Sequence, residues 1–156
     1  MKTTKTATLR AAHRHAAAGF TLIETLAATA IVGVLASIAY PSFEGPILKA
    51  RRTEGLTALM TLQMAEERWR SNNRRYATLD ELGSPATTST RLYALQVVSA
   101  DENGYELRAT AAGAQARDRA CRRLTLSVSG ANAVQASGPD ATTTNDAAAN
   151  RRCWGL

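Results

Sequence analysis

Glu24 is the only acidic or basic residue between positions 20 and 40, where the chain reads FTLIETLAATAIVGVLASIAY. A lone carboxylate inside lipid costs on the order of 3 kcal/mol, so it calls for a partner. The chain offers one just upstream, where a basic leader ends in Ala16-Ala17-Ala18-Gly19. A cut after Gly19 would free an α-amine on Phe20, one helical turn from Glu24 and positively charged at neutral pH. Within one chain that amine offsets the carboxylate; between chains it fixes the axial stagger of packed helices. The alternative places Glu24 at headgroup depth, solvated and without a role.

Other chemistry is scarce. The 156 residues suffice for one domain. The formal charge of +6 comes from 19 Lys+Arg and 13 Asp+Glu, and Lys2, Lys5, Arg10 and Arg14 all precede residue 20. Without those four, 15 cations face 13 acids, so the rest of the chain is only mildly basic. Both histidines, His13 and His15, also lie in the opening stretch, and two cysteines do not make a four-ligand zinc site. With no Gly-rich phosphate loop and no suggestive pair of acids, the sequence predicts no catalysis, no metal and no cofactor.

Stepping outward from Glu24, the apolar run is long enough at about 1.5 Å per residue to cross a bilayer core. A cut at Gly19 would leave it on the product, unlike an ordinary secretory signal. A simple N-terminal anchor is the plainer reading. The combination of a basic leader, Gly19-Phe20-Thr21-Leu22-Ile23-Glu24 and a long apolar helix resembles the processing signal of type IV pilins and of the related type II secretion pseudopilins. The resemblance extends through Ala39-Tyr40-Pro41-Ser42-Phe43 and Ala50-Arg51-Arg52-Thr53-Glu54, which are similar to the helix-middle signature of PilE-like pilins. It returns at Cys121 and Cys153-Trp154, similar to the C-terminal cysteine pair of that group.

This resemblance implies cleavage after Gly19 by a membrane aspartyl prepilin peptidase, N-methylation of Phe20 and use of Glu24 for docking into a filament. It implies an α+β type IV pilin fold with a long N-terminal helix, transmembrane in its first half and kinked near Pro41, packed on a small antiparallel sheet. Its domains would be a leader at 1–19, a transmembrane and filament-core helix at 20–40 and a periplasmic globular domain at 41–156. The precursor would sit in the inner membrane and the mature chain in a pilus at the cell surface. Its partners would be other pilin subunits, through the N-terminal helix, the peptidase and the assembly machinery.

The residues add detail. Pro41 and Pro46 predict a kink or local melting between them. Ala27, Ala28, Ala30, Gly33 and Ala36 would permit close helix approach. From 47 to about 73, Leu56, Leu59, Met60, Gln63 and Met64 recur at helical spacing and predict the face that packs on the core, with Glu66 and Glu67 among the wet residues. Joined to the apolar run, this makes a helix of about 50 residues, roughly 75–80 Å long. Residues 76–82 read as a connector with Leu79 and Leu82 packing back, and 83–90 as loop. Strands are expected over 91–100, 105–111, 122–127 and, more weakly, 132–136. Asn103-Gly104 predicts a hairpin turn that uses positive φ.

A bond between Cys121 and Cys153 would close a C-terminal loop and stabilise so small a domain by roughly 3 to 4 kcal/mol; two free thiols in a reducing compartment are the alternative. Lys49, Arg51 and Arg52 follow the apolar run closely and blunt the charge bias that the leader sets up.

Three functions compete. The first is a structural subunit, in the PilE-like resemblance a minor pilin that primes or decorates the fibre. The second is a secretion pseudopilin. The third is a DNA receptor, in which Arg122, Arg123, Arg151 and Arg152, gathered by a disulfide, contact phosphates while Tyr93, Tyr105 or Trp154 stack on bases.

Overall fold

The computed structural model describes residues 19–155. The cations Lys2, Lys5, Arg10 and Arg14 of the expected leader and both histidines lie outside that range. The chain divides after Pro41 into two compact units.

The first unit is built on helix α1, Leu22–Ser42. Thr21 opens it, its hydroxyl accepting from the Glu24 amide at 3.3 Å. Over Leu22–Ala39 the mean hydropathy is 2.0 and none of the residues is buried. Among the described residues this is the one helix long and apolar enough to cross a membrane.

Helix α2, Glu44–Arg70, follows after the single residue Phe43. The continuous 50-residue helix expected from the sequence is thus two helices of 21 and 27 residues. Prolines lack an amide proton, so the carbonyls of Ser37 and Ser42 receive no hydrogen bond from four residues on, at Pro41 and Pro46. Pro46 itself stands in the first turn of α2, where a missing donor costs nothing.

The second unit lays α2 on a four-stranded antiparallel meander, β1 (Tyr93–Ala100), β2 (Gly104–Ala111), β3 (Arg123–Ser129) and β4 (Asn132–Gly138), in that spatial order. Alternation along the strands sends Tyr93 and Leu95, Tyr105 and Leu107, and Leu124 and Leu126 into the core. Leu79 and Leu82 pack against it from the connector, as expected.

The helix face that meets this core differs from the expected stripe. Leu48, Gly55, Leu59, Leu62 and Glu66 are buried, whereas Met60 and Met64 are 52% and 60% exposed. Spacing fits both faces; the sheet selects the one with a glycine in its middle. A Cβ on Gly55 would stand 3.0 Å from the Tyr93 ring, so the glycine lets that ring lie flat against the helix.

The hairpin at 101–104 forms, by a route other than the one expected. Neither Asn103 nor Gly104 is among the residues with positive φ. The Asp101 carboxylate instead accepts from the amides of Asn103 and Gly104 at 2.7 and 2.9 Å. The glycine is needed for room, because a Cβ there would lie 2.0 Å from the Val128 carbonyl oxygen of β3.

After β3 and β4 the chain returns through helix α3, Ala147–Cys153, capped by Asp146, whose carboxylate accepts from the Ala148 and Ala149 amides. A disulfide joins Cys121 to Cys153 across a Cα separation of 5.5 Å. It pins α3 beside the 3-10 turn Arg119–Cys121 and closes the polar 139–150 segment into a loop.

Candidate functional site

Two features of the described residues stand open to solvent. The first is α1. Leu22, Ile23, Leu26, Ile31 and Leu35 are all more than half exposed, and Glu24 stands in the first turn among them. Apolar side chains cover every side of the helix, so lipid or other helices must cover it. Gly19 and Phe20 precede the first turn, Phe20 fully open.

The second is a basic face around the first half of α2. Arg52 lies two-pronged on Asp118, its Nη2 donating to Oδ1 at 2.9 Å, and its Nη1 donates to the Arg152 carbonyl at 2.6 Å. Gln115, fully buried, donates to the Leu48 carbonyl at 3.0 Å and to Asp118 at 3.1 Å. One clamp therefore ties α2, the turns at 113–121 and α3 together, and around it Lys49, Arg117, Arg119, Arg122, Arg151 and Arg152 face solvent. Arg117 pairs with Glu44 at 3.2 Å.

The cysteine bond draws Arg122 and Arg152, each next to a bridged cysteine, to the same end of the unit. Arg122 is exposed, donating to the Ala116 carbonyl. Arg123 is half-buried in β3, and Asp140 is near enough to both for their charge to help hold its carboxyl below the ordinary range, after the stronger effect of hydrogen bonds from Thr142. Arg151 and Arg152 are exposed on α3. The aromatic partners proposed for base stacking are elsewhere: Tyr93, Tyr105 and Trp154 are all buried. Trp154 spends its indole N–H on the Ala136 carbonyl. Stacking on these rings is corrected to core packing, because their large apolar area fills the space between one helix and a small sheet.

Sequence reasoning missed three things. The Arg52 and Glu54 pair inside Ala50-Arg51-Arg52-Thr53-Glu54 has structural duties: Arg52 makes the clamp, and Glu54 accepts from the Thr90 hydroxyl at 2.7 Å. Hydrogen bonds from Thr88 and then Thr90 hold the Glu54 carboxyl below its ordinary value. Glu66 is fully buried, its Oε2 accepting from the Ala77 amide at 2.8 Å, and burial raises its pKa. A cleft of about 390 Å³ opens between α2 and the 84–89 segment, lined by Thr53, Thr57, Thr61, Ser84, Thr87 and the Leu62 side chain. The place of Glu66 four residues after Leu62 and seven after Leu59, in line with the buried leucines, is the one trace of its burial in the sequence.

Among the described residues no group of acids, histidines and cysteines could hold a metal. An exposed apolar helix that lipid or other helices must cover, followed by a helix-on-meander unit with a C-terminal disulfide, narrows the class of protein. The comparisons agree. The family model described as type IV minor pilin ComP, DNA uptake sequence receptor, matches residues 41–125. The prokaryotic N-terminal methylation motif matches residues 14–40. The chain belongs to the type IV pilin family and carries the minor-pilin ComP domain. It is a structural subunit rather than an enzyme.

The type IV major pilin protein PilA of Myxococcus xanthus is 33% identical over 100 residues, 61% of this chain and 46% of that protein. The type II secretion system core protein G of Klebsiella pneumoniae is 36% identical over 63 residues, 40% of this chain and 45% of its own length. That of Pectobacterium carotovorum is 33% identical over 63 residues, 40% of each. The chain thus spans less than half the length of these relatives.

Proposed function

We propose that this chain is a minor subunit of a type IV pilus. A prepilin peptidase cuts after Gly19, Phe20 becomes the methylated N-terminus, and α1 passes from the inner membrane into the fibre core, with Glu24 setting the stagger against the Phe20 amine of a neighbour. Head-to-tail packing of identical rods is a heterologous contact, which yields an open helical polymer. The observation that carries this reading is the complete exposure of the apolar face of α1 beside a matched methylation motif. The disulfide supports a globular unit facing an oxidising compartment, the periplasm and then the cell surface. Twitching and adhesion are the processes such a fibre would serve.

The test is the mature N-terminus together with incorporation. Mass spectrometry of sheared fibres is expected to find methylated Phe20 first, and Glu24→Ala is expected to be processed but poorly incorporated. A product that begins elsewhere, or normal incorporation of Glu24→Ala, would remove the reading.

Two alternatives have specific support. The family description names a DNA uptake sequence receptor, and the disulfide gathers the segments that carry Arg122, Arg123, Arg151 and Arg152. With the nearby aromatics buried, binding there would rest on phosphate contacts, which fall steeply with salt. Replacing all four arginines by Ala would then abolish retention on DNA at low salt; equal retention eliminates the idea. The core protein G relatives favour a secretion pseudopilin. Deletion with loss of secretion and intact fibres would promote that reading over the pilus.

A further inference from the structure

Lys49, a few residues after α1, and Arg119 are cations that neither the assembly nor the DNA reading uses. Lys49 is exposed on α2 and shares a small cleft with Arg152 of α3. Arg119 is exposed on the turn held to α2 by the Arg52–Asp118 clamp, and Arg151 is exposed on α3. The acids nearby are spent: Asp118 is buried on Arg52, Glu44 pairs with Arg117, and Asp146 caps α3. The same end of α2 carries two exposed apolar side chains, Phe43 at 62% and Ile47 at 47%.

We infer that this end of the globular unit is a surface that seats on anionic lipid headgroups of the membrane holding α1, with Lys49, Arg119, Arg151 and Arg152 on phosphates and Phe43 and Ile47 at the interface. The inference rests on α1 being a membrane anchor.

Covalent continuity argues for lipid over nucleic acid. Only Phe43 separates the last residue of α1 from the first of α2. The helix covers about 1.5 Å per residue, so Glu44 to Lys49 spans less than about 10 Å, close to the screening length at physiological salt. Lys49 is therefore kept within reach of the headgroups whenever α1 is in the bilayer. Exposed aromatic and aliphatic side chains interspersed with Lys and Arg are the composition of interfacial segments. A phosphate-tracking DNA surface gains nothing from Ile47. The contact would hold the globular unit of the unassembled subunit against the membrane and be surrendered on entry to the fibre.

The test uses the full chain reconstituted in vesicles of phosphatidylcholine with or without phosphatidylglycerol. Flotation reads the anchor. Amide exchange over 43–52 and 113–121 is expected to slow at least fivefold in the anionic vesicles, each cation near such a surface contributing roughly that factor. The slowing should vanish at ~1 M salt, where screening shortens to about 3 Å, and should shrink by at least about fivefold in a Lys49→Gln, Arg119→Gln variant, which leaves the four DNA candidates intact. Equal exchange in both vesicles with flotation preserved overturns the inference and leaves the anchor standing. Failure to float overturns the anchor reading and the inference with it. Slowing by duplex DNA but not by phosphatidylglycerol assigns the face to nucleic acid and also overturns it.

Discussion

Near its start α2 buries Arg52 against Asp118, with Gln115 and the Arg152 carbonyl taking up the remaining hydrogen-bonding capacity. Near its end the same helix buries Glu66, whose Oε2 accepts from Ala77 while Oε1 meets no donor among the described residues. Around it stand Glu67, which accepts from the Tyr105 hydroxyl at 3.0 Å, and the edge-to-face pair Tyr76 and Tyr105. Burial, reinforced for Tyr105 by its bond to Glu67, raises the pKa of both tyrosines. One end matches its buried charge with an opposite charge; the other keeps a buried acid among groups that disfavour ionisation. The first arrangement fixes position and the second makes stability depend on pH.

Breaking the matched end should cost most. Arg52→Ala or Asp118→Ala leaves an uncompensated buried charge and is expected to lose about 3 to 5 kcal/mol in urea denaturation. The pair Arg52→Met, Asp118→Leu should lose much less than two such losses added together, because no orphan charge remains. A loss below about 1 kcal/mol for either single variant would place the pair among ordinary surface bridges.

Next comes the covalent clamp at the same end. Cys121→Ser with Cys153→Ser releases a loop with a sequence separation of 32 and is expected to cost roughly 3 to 4 kcal/mol. The same measurement checks it, with wild-type protein under reducing conditions as a second route to the open form.

The unmatched end gives a smaller effect with a distinct signature. Burial lifts Glu66 above its ordinary 4.5, the Ala77 amide opposing, with like charge on Glu67 and Glu81 adding to the rise. The folded state then holds the proton more tightly than the unfolded one. Stability from this group is full below the ordinary value and falls as pH rises through the folded one. Glu66→Gln keeps an acceptor for Ala77 and cannot ionise, so the difference between the two proteins should grow from pH 4 to 8 in favour of the variant. Parallel profiles would show that Glu66 titrates as if exposed.

The smallest effect is at Arg75 and Glu81, an exposed pair at 3.0 Å between Nη1 and Oε2. Hydrogen bonding from Arg75 first, then from the Thr78 amide, lowers Glu81 to about 2. Its contribution is present above the ordinary value and lost as pH falls through about 2. Arg75→Ala should return the Glu81 carboxyl toward its usual range in an NMR titration and lower neutral-pH stability only slightly, because solvent screens the exposed pair.

Much of this was legible in the residues. The four strands fall within two or three residues of where alternation and turns put them, since a half-buried meander writes period two directly into the chain. Pro41 and Pro46 announced the helix break at Phe43. Met60 and Met64 were misplaced, because a helix with apolar residues on two faces does not say which one the sheet will cover. Gly104 was read for its freedom in φ, and its purpose, contact with β3, requires knowing that Val128 lies opposite.

The sequence by itself determined that an apolar rod with one acid is covalently joined to a small helix-and-meander domain, because hydropathy, proline chemistry and side-chain alternation act over a few neighbouring residues. Tertiary structure alone decided which charges are matched. Arg52 meets Asp118 across 66 positions, while Glu66, equally charged on the page, is closed in by Tyr76, Ala77 and Tyr105. A charge's energy depends on what replaces its water, and that is settled only when distant segments pack.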